Sequence, residues 1–190
     1  MKVINQTERR VIQGKIVHSL EKIVSLFESH TDIIVKGFRD VQCGRKVDLS
    51  SERSGFIRYL CIEKGNMADS SLFMPVLDFH QSKLHRLPHS VVADGGYASQ
   101  ENVKKGRGLG VKRVAFHKPL GLSLHAMGVK LKTFTRLRPF RAGVEGNISE
   151  LKRAFGAKKA NWKRLAGFKA YVWSSVLSYN LMRLARLDSV

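Results

Sequence analysis

Hydrophobic and polar positions alternate loosely over residues 2–12 (Lys-Val-Ile-Asn-Gln-Thr-Glu-Arg-Arg-Val-Ile), which predicts an opening strand with a turn at Gly14. Short apolar runs follow at 23–27 and 31–35, and the stretch 35–46, which contains Gly37 and Gly44, reads as a loop or linker. Residues 46–50 and 55–63 form two strand-like runs joined around Glu52-Arg53-Ser54, a hairpin pattern. A helix is predicted from a cap at Asp69 or Ser70, with Leu72, Phe73, Val76 and Leu77 on one face and Pro88 closing the segment. Residues 90–94 (Ser-Val-Val-Ala-Asp) read as a buried strand ending in an acid and two glycines. A short helix from Ser99, stopped near Gly108 and Gly110, leads into a strand at 111–116. The last third is helical, at 144–155 and again at 167–187, where Trp173, Val176, Leu177, Leu181 and Leu184 fall at helical spacing and are expected in the core. Strands, then alternating helix and strand, then helices make an α/β class; no internal repeat or second domain is visible, so residues 1–190 read as one domain.

Charge changes the picture most. The chain carries 34 Lys and Arg against 15 Asp and Glu, a net +19 in 190 residues. Between positions 104 and 164 there are 17 Lys and Arg against two acids, Glu145 and Glu150, so this third holds most of the excess. Such a surface attracts phosphate backbones whatever their sequence. Two cysteines, Cys43 and Cys61, cannot build a disulfide framework or a Cys-rich zinc site, and point to a reducing compartment. No run of eighteen apolar residues suggests a membrane span, and no apolar leader opens the chain. His85 and His89 are four apart but separated by Pro88, which disfavours a shared helical face for a metal.

Two acids stand out chemically. Asp94 ends a strand before Gly95-Gly96, where it either projects from the sheet edge or caps the turn. Glu145 sits in the basic stretch, where a carboxylate either serves chemistry or makes an intrahelical ion pair with Arg141 or Lys152. Two carboxylates on separate elements beside a basic surface suit Mg²⁺-dependent phosphoryl chemistry, with hard oxygen ligands and a clamp on the reacting oxygens.

The segment Arg141-Ala-Gly-Val-Glu145-Gly-Asn-Ile-Ser-Glu-Leu-Lys152 has an Arg-x3-Glu-x6-Lys spacing that resembles the glutamate helix of DDE insertion-sequence transposases, with the nearest likeness to the ISNCY group. Residues 22–35, Gly65-Asn-Met-Ala-Asp-Ser, Val92-Ala-Asp94-Gly-Gly-Tyr-Ala-Ser, Val114-Ala-Phe-His-Lys and Phe168-Lys-Ala-Tyr-Val-Trp-Ser-Ser-Val resemble further family stretches, in the family's order. The resemblance implies an RNase H-like mixed sheet flanked by helices, a helical C-terminal segment, and Mg²⁺- or Mn²⁺-dependent DNA cleavage and strand transfer. By motif, Asp94 resembles the second catalytic Asp and Glu145 the Glu, both metal ligands. Arg138 stands where the family has a tyrosine; with Arg141, Lys152, Arg153, Lys158 and Lys159 it is expected to contact DNA. Asn5 occupies the family's first Asp position, in Val3-Ile4-Asn5-Gln6-Thr7-Glu8-Arg9-Arg10-Val11. An amide loses the ligand charge, so the resemblance implies impaired catalysis. Asp48 and Asp32 are the acids that would have to substitute. The family's helical region for contacting transposon ends, which precedes the first Asp, has no room before Asn5, so an N-terminally truncated bacterial transposase is expected. Its partners would be transposon ends and target DNA in the cytoplasmic nucleoid, together with a homo-oligomer or an intact transposase in a mixed oligomer. The alternative is a non-enzymatic DNA-binding remnant or inhibitor.

Overall fold

The computed structural model describes residues 1–18, 21–36, 40–65, 67–117 and 121–187. The expected loop marker Gly37 and two motif residues, Asn66 and Lys118, lie outside the described residues. The opening segment is not a strand. Lys2–Thr7 is helix α1, continued by a π-helical stretch over Glu8–Ile12. A strand needs a ladder partner for its backbone groups, whereas a helix satisfies them within the segment. Here the main anchor is Gln6, whose side-chain oxygen accepts from the Ile23 amide at 2.6 Å while its nitrogen donates to the Ile23 carbonyl at 3.1 Å. Ile4, Val11 and Ile12 stay exposed.

Strands β1 (Asp32–Lys36) and β2 (Asp40–Gly44) pair antiparallel, where a loop or linker was expected over much of 35–46. β3 (Val47–Ser51) and β4 (Ile57–Ile62) form the anticipated hairpin, with an irregularity between Ser50 and Ser51. β5 (Ser90–Asp94) and β6 (Arg113–His117) pair in parallel, Asp94 opposite His117. Among the described residues no ladder joins these three pairs into one sheet. The α/β class holds, without the continuous mixed sheet that was expected.

Helix α2 (Asp69–Leu84) precedes β5, with Asp69 in its first turn and Leu72, Phe73 and Leu77 buried. An acid there suits the positive end of the helix dipole. Helix α3 (Gln100–Gly108) crosses over between the parallel strands, and Ser99 caps it by accepting from the Asn102 amide at 3.0 Å. Gly106 lets α3 sit close: a Cβ there would lie 3.1 Å from Val114 and 3.3 Å from Phe73. Phe73, Leu77, Val103, Val111, Val114, Phe116, Met127 and Val129 make the first core. Met127 belongs to a short helix α4 (Leu124–Met127).

Helix α5 runs from Leu131 to Ala154, well beyond the expected 144–155, and passes through Pro139. Helix α6 (Arg164–Leu187) lies against β4. The second core joins Ile57, Leu60, Leu151, Val172, Val176 and Tyr179. Asn180 fixes α6 to the hairpin, accepting from the Ile57 amide at 3.0 Å and donating to its carbonyl at 2.9 Å, and the Tyr179 hydroxyl donates to the Gly55 carbonyl at 3.1 Å. These bonds choose which face of α6 is buried. Val176 is core as expected, but Trp173, Leu177, Leu181 and Leu184 are exposed.

Candidate functional site

The site is built where the end of β5 meets α5. Asp94 ends its strand in extended backbone (φ −70°, ψ 163°) and caps the following short turn, Gly95–Tyr97, its Oδ1 accepting from the Gly95 amide at 2.8 Å. Its other oxygen, Oδ2, accepts from Arg141 Nη2 at 3.0 Å, across 47 residues of sequence. Arg141 Nη1 is ion-paired with Glu145 Oε1, one turn further along α5. One guanidinium therefore joins the two acids singled out in the sequence. Asp94 both caps its turn and projects toward a partner, and Glu145 makes the intrahelical pair with Arg141, the same cation that reaches β5. Helix α5 packs on both β5 and β6, which brings Arg141 to the strand end.

The side chains differ in access. Arg141 is 19% exposed, against 55% for Asp94 and 62% for Glu145, so the cation lies beneath its two acids. Burial of the guanidinium works against its charge, but the bonds to Glu145 and Asp94 outweigh this and hold its pKa above the ordinary value. The trio carries a formal −1.

Along α5, Arg138, Arg141, Glu145 and Lys152 share one stripe, because steps of three, four and seven residues return to nearly the same side of a helix. Arg138, Lys152 and Arg153 are exposed on α5, and Lys158 and Lys159 are exposed in the turn beyond it. Among the described residues none of these five pairs with a carboxylate. Glu150, the other acid of the basic stretch, faces α6 and pairs with Arg183 at 3.1 Å and Arg186 at 3.2 Å, a structural role.

The first-acid candidates lie apart from this trio. Asn5 is exposed on α1, not on a strand beside Asp94. Asp32 accepts from the Gly65 amide at 3.2 Å, tying β1 to the loop after β4. Asp48 on β3 is 4% exposed; its Oδ1 accepts from the Tyr97 hydroxyl at 2.7 Å and its Oδ2 has no partner. Burial raises the Asp48 pKa, the Tyr97 bond opposes the rise, and Glu63 and Asp69 add to it. Tyr97 closes the turn that Asp94 opens, and its carbonyl accepts from Asn102 Nδ2 at 2.9 Å. Asp48 thus reaches the Asp94 turn indirectly. Sequence reasoning missed this tie; the one available signal was a tyrosine three places after Asp94. Gly96 in that turn lies against the Asp69 carboxylate, which would have to shift to admit a Cβ there.

Residues 44–181 match the family described as Transposase DDE domain. The chain belongs to this family of DDE transposases. Neither the curated proteins nor the solved structures gave a match. Asp48, Asp94, Arg141, Glu145 and Lys152 fall within the matched span, and Asn5 and Asp32 fall before it. Transposase DDE domains act in DNA transposition and generally use divalent metal ions, so DNA is the partner the family implies. The donor chemistry suits such an ion: Asp94 and Glu145 offer hard carboxylate oxygens at the two outer nitrogens of one guanidinium, and Mg²⁺ is usually held by one or two carboxylates with phosphate oxygens and water. Among the described residues no group of three or more His, Cys, Asp or Glu is placed to hold a metal. No described helix is long and apolar enough to cross a membrane.

Proposed function

We propose that this chain is a single RNase H-like catalytic domain of an ISNCY-group insertion-sequence transposase, built for Mg²⁺- or Mn²⁺-dependent DNA cleavage and strand transfer. We further propose that it is impaired in that chemistry because Asn5 takes the place in the sequence of the family's first catalytic Asp, a residue that the structure leaves on exposed α1 and not on a strand beside Asp94. The observation that carries the reading is the meeting of Asp94 and Glu145 at Arg141, beside a stripe of unpaired basic residues on α5. Asp94 and Glu145 would hold the metal, which when bound supplies charge neutralisation at the reacting phosphate. Arg138, Lys152, Arg153, Lys158 and Lys159 would bind the DNA backbone and set its register. The turn at Gly95-Gly96 keeps Asp94 at the strand end, and the Asp48–Tyr97 bond holds that turn from the far side. The absence of a three-acid group among the described residues favours a second reading, a DNA-binding remnant that occupies transposon ends or joins an intact transposase in mixed oligomers. A place in the bacterial nucleoid belongs to the same proposal.

Nicking of supercoiled plasmid in Mn²⁺ separates the readings. The native chain is expected to nick at least ~10³-fold more slowly than Asn5→Asp, the cost of several kcal/mol of lost transition-state stabilisation. Adding Glu145→Gln or Asp94→Asn to Asn5→Asp should abolish cutting. Equal nicking by the native chain and Asn5→Asp would move the third acid to Asp48 or Asp32. No nicking by any variant that folds and binds DNA would leave the remnant reading.

A further inference from the structure

We propose that Arg141 is a built-in counter-ion for Asp94 and Glu145, which holds the two acids together without metal and leaves them when a divalent cation binds. The inference rests on the reading above that these acids hold a metal. It starts from the donor count: Arg141 gives Nη2 to Asp94 at 3.0 Å and Nη1 to Glu145, so both outer nitrogens of its fork are engaged. A guanidinium engaged in this way cannot present the same bidentate edge to a DNA phosphate. The outer Nη1 and Nη2 edge can therefore serve the two carboxylates or a DNA phosphate, but not both at once, and for that edge the two services follow in sequence.

Electrostatics gives the order. Among the described residues Arg141 is the only cation paired with Asp94 or with Glu145. It leaves the trio at −1, a residual charge at the exposed outer side where the acids are 55% and 62% open to solvent. A divalent cation cancels both carboxylates at once and can approach from that open side. Arg141 is then released next to Arg138 and Lys152 on the same stripe of α5, with its fork free for a phosphate. Linkage makes the effect reciprocal: whatever free energy Arg141 contributes to holding the acids is subtracted from metal affinity. The arrangement keeps the acids assembled in the empty site and makes the phosphate-binding edge of Arg141 available only once the metal is in.

Phenylglyoxal labelling of the full chain tests this directly, because the reagent attacks guanidinium groups that are not engaged. Adducts at Arg141 and at Arg136, which is exposed on the same helix, would be read by peptide mass spectrometry with and without Mg²⁺. Labelling of Arg141 should rise about fivefold or more on adding Mg²⁺, within the usual span of coupling between linked sites. Arg136 should not change. An Arg141 rate that is unchanged or lower overturns the proposal. Mn²⁺ binding followed by electron paramagnetic resonance supplies the second arm. Arg141→Gln should bind Mn²⁺ about tenfold more tightly than the native chain, while Arg136→Gln should match the native chain. If Arg141→Gln fails to fold, the labelling result on the native chain decides. If Mn²⁺ binds neither chain, the metal-site reading and the counter-ion proposal fall together. If Mn²⁺ binds the native chain and Arg141 does not respond, only the counter-ion proposal falls.

Discussion

Asp48 shows how one carboxylate sets a pH dependence. Its Oδ1 takes the Tyr97 hydroxyl, its Oδ2 takes nothing, and the residue is 4% exposed. Desolvation raises its pKa above the 3.8 of the open chain, so between these two values the folded state binds a proton that the unfolded state has released. The stability it lends is full below pH 3.8 and is lost as pH rises through the folded-state value. Asp48→Asn keeps an oxygen for Tyr97 and removes the ionisation. It should be more stable than the native chain at pH 7, with the advantage shrinking as pH approaches 4, as read by urea unfolding across that range. A deficit of the same size at both pH values would show that the charged carboxylate is well satisfied. Little of this was legible in the sequence, because a lone Asp in Lys-Val-Asp-Leu-Ser does not say which side of its strand is covered. Asp94 was legible, since a strand followed by two glycines fixes where an acid must end.

Helix α5 is the element that makes the site, and it was half hidden. Pro139 removes a backbone donor, and Gly143 and Gly146 each cost roughly 1 kcal/mol against Ala in a helix interior, so local preference placed its start at 144. Packing against β5, β6 and α6 carries the helix back to Leu131. A Cβ at Gly143 or Gly146 would meet nothing within 4 Å. Gly143→Ala and Gly146→Ala should therefore each stabilise the fold by about 0.5–1 kcal/mol in urea unfolding. Destabilisation would mean that the helix is not continuous past Pro139. Helix α6 misled in the opposite way. It carries apolar residues on two faces about 135° apart at ~100° per residue, and periodicity alone does not choose between them. Tyr179 and Asn180, through their bonds to Gly55 and Ile57, bury the side of Val172 and Val176. The first segment failed for want of a partner strand, while α2, β5, α3 and β6 were readable because pattern, caps and packing agree.

At the scale of the molecule, the family match covers residues 44–181, from β2 to α6, and the basic surface belongs to α5 and the turn after it. The charge count led to the expectation of a nucleic-acid partner, and the motifs singled out Asp94 and Glu145. The sequence could not show that one partly buried guanidinium would join them, since contact across 47 residues is a product of how α5 lies on the parallel strands. The account stands on Asp94 and Glu145 forming one unit. A double-mutant cycle in urea, without metal, on native, Asp94→Asn, Glu145→Gln and the double variant tests this most directly. Each single variant leaves Arg141 one carboxylate, and the double variant leaves a guanidinium that is 19% exposed with neither. The double loss should exceed the sum of the single losses by at least about 0.5 kcal/mol, the range seen for residues sharing a partner. Additivity within ~0.3 kcal/mol, as expected of independent sites, would contradict it.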